Sequence, residues 1–224
     1  MRAIILITVL AVSVLGNSQV NVTVIRTTPE YLAQIKKQSN EPATWKTVVN
    51  DKTITIDLDK CRKFRDSICN IPQDTLTARF VKCLNAYRVK FRLPALKLNN
   101  LITEHAKFIA EYNNNLSGLG LTHQTNIPGK ETFSDRVSKI NSGRGGECVL
   151  KLGTTEGELA FILNLMYKEK ISYEQYLLNM WIRSSAHNSI LKIKSADTVG
   201  FYLKFKDPKQ ISGVSASVIV IDLN

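Results

Sequence analysis

Histidine titrates nearest neutral pH of all side chains and serves as base, proton carrier or metal ligand; this chain of 224 residues has three. His105 lies seven residues after Leu98 on the apolar face of a helical stretch, which reads as a satisfied core histidine rather than a ligand. His123, in Gly120-Leu-Thr-His-Gln, follows a glycine-containing turn, and His187, in Ser184-Ser-Ala-His-Asn, follows a tryptophan-bearing helical run. Each of these two is either a site residue or an ordinary surface imidazole. Glu147 stands in Gly145-Gly-Glu-Cys148, where two glycines before a carboxylate and Val149-Leu150 imply close backbone packing around a fixed acid. Cys61, Cys69, Cys83 and Cys148 complete the reactive set. HExxH, Gly-x-Ser-x-Gly, GxxxxGK[ST], EF-hand and GxGxxG patterns are absent, so zinc-protease, α/β-hydrolase, nucleotide and calcium-loop readings lose their usual support.

What the thiols do depends on compartment. Met1-Arg2 supplies a short positive end, Ala3 to Gly16 is almost unbroken apolar, and Gly16-Asn17-Ser18 offers small side chains for a cut before Gln19. Residues 1–18 therefore read as a secretory signal peptide, and a secreted, extracellular product is expected. In an oxidising compartment an even cysteine count suggests bridges, and no CxxC is present to suggest zinc or redox chemistry. Three pairings are possible: Cys61 with Cys69 would close a small loop and leave Cys83 with Cys148, and the alternative is that one pair stays reduced and buried. Asn21-Val-Thr23 and Asn115-Leu-Ser117 are sequons consistent with export.

Hydrophobic residues at 44% and charged residues at 22% are ordinary for a globular protein and exclude wholesale disorder. Thirty Lys+Arg against 19 Asp+Glu give a net charge of +11, with 20 basic and 12 acidic side chains from residue 76 onward. Outside a cell that surplus suits anionic membrane surfaces or acidic glycans, or simply a solvated surface. No nucleic-acid module is recognisable.

Periodicity supplies the elements that must hold these groups. Residues 19–74 mix β-prone runs (Val20 to Ile25, Thr53 to Leu58) with Pro29, Pro42 and Pro72, and read as an N-terminal extension before a domain over 75–224. Phe80, Leu84, Tyr87 and Phe91 form one helical stripe ended by Pro94. A second helix is predicted from about Leu98 to Tyr112, with Leu98, Leu101, Ile102, Ala106, Ile109 and Tyr112 on one face. Thr155-Glu-Gly-Glu158 and Ser172-Tyr-Glu-Gln175 match the capping box and start two more helices. Val199 to Phe205 and Val214 to Ile221 are β-branched and aromatic runs that read as a hairpin-like pair of terminal strands. The fold class is α+β.

Taken together, Asn85-x-x-Arg88, Leu93-Pro-Ala-Leu96, His105-Ala, Thr122-His123, Ser134-Asp-Arg136-Val, Gly146-Glu147, Trp181-x-x-Ser184-x-x-His187-x-x-Ile-Leu191 and Val199-Gly-Phe form an ordered set. It resembles the CAP superfamily (cysteine-rich secretory, antigen 5 and pathogenesis-related 1 proteins), most closely the SCP-like branch, over about Asp74 to Asn224. The resemblance implies a three-layer α-β-α sandwich with a central cleft. In that cleft His123 would be the first histidine, Glu147 the glutamate of the family's Gly-Glu-Asn motif, and His187 the second histidine. Two departures stand out: the motif reads Gly-Glu-Cys here, and the second glutamate is replaced by Ser184.

Two neutral imidazoles and a carboxylate can hold zinc or another divalent cation with a position left for water, so His123, His187 and Glu147 are the candidate metal ligands, the alternative being a hydrogen-bonded polar cluster that orients loops without any required cofactor. The family is mostly associated with binding of sterols, fatty acids or protein partners. A secreted binding or interaction protein for lipid, sterol or an extracellular protein is therefore the leading expectation. A secreted metal-dependent hydrolase using the same cleft is the alternative, and it would need a base or nucleophile beyond these ligands.

Overall fold

The computed structural model describes residues 44–49, 52–117, 120–140, 144–153, 156–205 and 214–223. The expected signal peptide, the run Val20 to Ile25 and the sequon at Asn21 lie outside the described residues, as does Thr155 of the first capping box.

A hairpin opens the described chain: β1 (Thr44–Val49) pairs antiparallel with β2 (Lys52–Asp57). Asp57 then caps α1 (Leu58–Cys69), its carboxylate accepting from the Lys60 amide and so supplying one of the bonds a helix start lacks. Residues of the expected extension enter the main core rather than lying apart from it. Ile56, Leu58, Cys61 and Ile68 are buried in the same cluster as Phe80, Phe201 and Val218, and α1 packs against α5 (Glu156–Glu169).

Helix α2 (Gln73–Val89) buries Phe80 and Leu84 of the predicted stripe, with Leu76 and Val81 beside them. It stops before Phe91, which lies outside the helix and is exposed, because Arg92 takes a left-handed backbone conformation at φ 56. Helix α3 (Asn100–Asn115) starts two residues later than its apolar pattern suggests. Asn99 is the N-cap and accepts from the Leu101 and Ile102 amides, which leaves Leu98 in the two-residue β3 (Lys97–Leu98) and Leu101 exposed. Its buried face is Ile102, Ala106 and Ile109. Asn115, the last residue of α3, is exposed.

The central sheet has the order β3-β5-β6-β4, with β4 (Gly145–Leu152), β5 (Thr198–Phe205) and β6 (Val214–Ile221) antiparallel and β3 parallel to β5. Side-chain alternation along β6 separates two cores. Ile219 and Ile221 pack with Ile102 and Ala106 of α3, whereas Ala216, Val218 and Val220 face the larger cluster under α2 and α6 (Tyr173–Arg183). The result is an α+β, three-layer α-β-α arrangement. Gly200 makes the α3 layer possible, since a Cβ there would land on the backbone of Ile102 and Thr103.

The expected disulfides do not form: all four cysteines are free thiols. Cys61 and Cys69 sit on one helix, and eight residues of α-helix rise about 12 Å, well beyond the roughly 7 Å limit between bridged Cα atoms. Cys148 is fully buried on β4 with its Sγ 3.7 Å from the His187 carbonyl, and Cys83 is half-buried on α2. Burial pushes the Cys61 and Cys69 thiols up to about 11 and raises Cys83 and Cys148 as well, which makes all four poor nucleophiles at neutral pH.

Candidate functional site

Strand parity fixes Glu147. It pairs with Ile219, which in turn pairs with Gly200, so its carboxylate emerges on the α3 side of the sheet. It is only 4% exposed. A charge this deep demands a partner, and the partner is Arg136 on the short helix α4 (Phe133–Val137). Arg136 Nη2 lies 2.8 Å from both Glu147 Oε1 and Oε2, and the pair is buried on both sides. The same guanidinium donates to the Lys130 and His123 carbonyls, at 3.2 and 3.1 Å. A complete capping box between Thr132 and Asp135 starts α4 three residues before Arg136. Hydrogen bonds from Thr132 hold the Asp135 carboxyl below its usual range.

His123 sits in the loop between α3 and α4. Asn113, buried on α3, brackets the preceding residue, donating to the Thr122 carbonyl at 2.9 Å and accepting from its amide at 2.8 Å. His123 Nδ1 then donates to Glu147 Oε1 at 3.0 Å. That bond fixes the ring's orientation and leaves Nε2 as the nitrogen facing outward.

His187 arrives from the other layer on α7 (Ser185–Leu191). The helix comes close because Gly146 has no side chain: a Cβ there would meet the Ile190 side chain at 2.8 Å. The fixed acid behind a pair of glycines is thus a packing arrangement, with helix α7 fitted over Gly146 on one face and Glu147 emerging on the other. The Asn85-x-x-Arg88 motif holds α7 from the far side. Arg88, fully buried, donates to the carbonyls of Pro94, Leu191, Ile193 and Ala196, and Asn85 pairs reciprocally with the Leu96 backbone. Tyr87 Oη adds a 2.6 Å bond to Asn188.

The two imidazoles meet with ring centroids 6.4 Å apart. They reach one another from opposite layers around the outer edge of β4, which pairs with β6 on its inner side. Burial, and secondarily His123, lower the His187 pKa, so near neutral pH it is a neutral donor and acceptor. Ser184 is half-buried at the junction of α6 and α7, where its carbonyl accepts from the Asn188 amide. His105 belongs elsewhere: it is half-buried on α3, and its ring makes no hydrogen bond among the described residues, so it is not the satisfied core histidine expected.

Glu147 does not join the expected metal-ligand set. Both of its oxygens accept from Arg136 and one also from His123, so the carboxylate stands behind the imidazole rather than beside its free nitrogen. The remaining two imidazoles are one short of the three protein ligands of an open zinc site. Among the described residues no three His, Cys, Asp or Glu are placed to share an ion. The residues therefore do not fit a three-ligand divalent site, and the cation balancing Glu147 is Arg136. That arginine stood in a quoted motif without a role. The signal that marks it is a lone basic residue beside an apolar one, Val137, just inside a capped helix start.

No family model matches the chain, and no curated protein matches it. Similar solved structures include an outer surface protein of Borrelia burgdorferi, at 16% identity and a TM-score of 0.46 over 63% of this chain and 88% of that one. A cysteine-rich secretory protein of Staphylococcus aureus aligns at 13% identity and a TM-score of 0.45 over 68% of this chain and 40% of that one. An extracellular protein containing an SCP domain from Bacillus anthracis aligns at 15% identity and 0.43 over 67% and 41%. The chain thus spans about two fifths of the latter two.

Proposed function

We propose that this is an exported CAP-type binding protein whose cleft takes an amphipathic ligand, a sterol or another lipid, by way of His123 and His187. The observation that carries the reading is the pair of imidazoles 6.4 Å apart, one oriented by a carboxylate whose charge is already balanced by a buried arginine. His187, kept neutral by burial, presents one donor and one acceptor beside it. Apolar surface lies alongside, since Leu121 and Ile127, on the loop that carries His123, are 45% and 38% exposed. A hydroxyl or carboxyl head group set against the imidazoles with an apolar body over Leu121 uses both features. The basic surplus adds attraction to anionic membrane surfaces.

The hydrolase alternative has less support. A Glu–His pair can orient a base, but among the described residues the His123 ring hydrogen-bonds only to Glu147, so no serine, threonine or cysteine is presented to it as a nucleophile. The two readings separate in one set of measurements on the purified protein. The binding reading expects saturable uptake of a fluorescent sterol or fatty acid, weakened at least tenfold in Leu121→Asp and in the His123→Ala, His187→Ala double variant. Absence of uptake, together with ester turnover that disappears in Glu147→Gln, would replace it with the hydrolase.

A further inference from the structure

The second open edge of the sheet offers a site independent of the histidine cleft. β3 covers β5 only at Thr198 and Val199, so among the described residues no strand lies beyond them on that side. Hydrogen bonds fix which backbone groups point outward there. Lys97 donates to the Asp197 carbonyl, Asn99 to that of Val199, and Thr77 Oγ1 to that of Phe201. Odd-numbered residues of β5 therefore turn their amides and carbonyls away from β6, and the next two in the series are Leu203 and Phe205.

Beside them lies a cavity of about 510 Å³ lined by Tyr202–Phe205 on one side and by Ile68, Cys69, Ile71, Pro72 and Leu76 on the other. Its walls mix these apolar side chains with the polar Asn70, Gln73 and Lys204, and its floor is a strand edge, a combination that suits an added β-strand with one apolar and one polar face. Next to it the hydroxyl of Tyr173, whose ring stacks on Phe205, is buried without a partner among the described residues.

We infer that the outer edge of β5 at Leu203 and Phe205 receives an added strand, and that the strand is this chain's own segment Val20–Ile25. The segment reads Val-Asn-Val-Thr-Val-Ile, apolar at 20, 22 and 24 and polar at 21 and 23, which is the period of a strand with one buried face. Its length of tether suffices. The described chain begins at Thr44, paired with Asp57 at the start of α1. The groove lies at the other end of that 12-residue helix, about 18 Å away. The 18 residues from Arg26 to Ala43 reach up to about 60 Å when extended. Apolar residues directed inward also leave Asn21, the sequon residue, on the outer face.

Cys69 lines the groove and reports on its occupant. In the full chain starting at Gln19, single variants Val20→Cys, Asn21→Cys, Val22→Cys, Thr23→Cys and Val24→Cys are oxidised mildly and their crosslinks mapped by mass spectrometry. Docking expects an intramolecular bond to Cys69 from at least one of the 20, 22 and 24 positions, at about five-fold or more the yield from 21 and 23, because bridging needs Cα atoms within roughly 7 Å. In the unsubstituted chain, hydrogen exchange expects slowed amides at Leu203 and Phe205. Equal yields at both parities, or free exchange at those amides, overturn the inference. Crosslinked dimers also overturn it, and would assign the edge to a second copy.

Discussion

Replacing Arg136 with methionine tests whether the cleft rests on an internal ion pair. The change keeps an unbranched, mostly apolar stem but removes the guanidinium, which leaves Glu147, 4% exposed, without its cation. Removing one partner of a buried pair costs about 3–5 kcal/mol, because the survivor stays desolvated. For a chain of this size each kcal/mol lowers Tm by about 2–4 °C, so Arg136→Met is expected to melt about 6–20 °C below the parent. Urea titration of the parent, Arg136→Met, Glu147→Gln and the double variant supplies the coupling. The double variant should lose about 1–3 kcal/mol less than the sum of the singles, since neutralising Glu147 removes the charge that Arg136 balances. A loss below about 1 kcal/mol for Arg136→Met, or additive singles, would show that the pair does not hold the cleft and that the geometry around His123 has another cause.

Stability should fall with acid below about pH 6.5. Burial, with Lys130 and Arg136 nearby, lowers the His105 pKa in the folded state, so its contribution is complete above the unfolded value and is lost as pH drops through the folded one. His105→Gln should then flatten the acid limb by up to about 1.4 kcal/mol per pH unit, and an unchanged limb would contradict this. Gly200→Ala should destabilise by about 3 kcal/mol or abolish folding, because its methyl meets α3 backbone that has no rotamer to yield; a neutral effect would misplace α3. Arg88→Met should cost about 3 kcal/mol or more in urea by stripping donors from four carbonyls around α7, with weaker ligand uptake at the cleft; uptake unchanged in the folded variant would show that α7 is placed by other contacts. Thiol titration in guanidinium of protein prepared without reductant should count four free cysteines, and a count of two or none would restore a bridge.

Residues with strong local preferences announced themselves in the sequence. Val214 to Ile221 is rich in β-branched residues and is an inner strand at those bounds, and Ser172 caps α6 by accepting from the Gln175 amide at 3.2 Å. Glycines before Glu147 likewise signalled the close packing that Ile190 provides. What did not show locally was decided by distant partners. Leu98 and Leu101 continue the α3 pattern yet stay exposed, because Asn99 claims the cap and directs the chain into pairing with Val199. An even cysteine count suggested bridges, but helical geometry between Cys61 and Cys69 forbids that one. Arg136 could not be joined to Glu147 from sequence, since no spacing rule connects a short helix to a strand eleven residues on.

The most direct measurement is a nitrogen-detected NMR titration of the three imidazoles with the lipid or sterol that the protein takes up. His105, on α3 and within electrostatic reach of Arg136 and Glu147 but outside the His123–His187 pair, serves as the comparison. The account expects His123 and His187 to shift together along one saturation curve while His105 stays in place. Movement of only one cleft histidine, or equal movement of all three, would contradict a shared binding cleft.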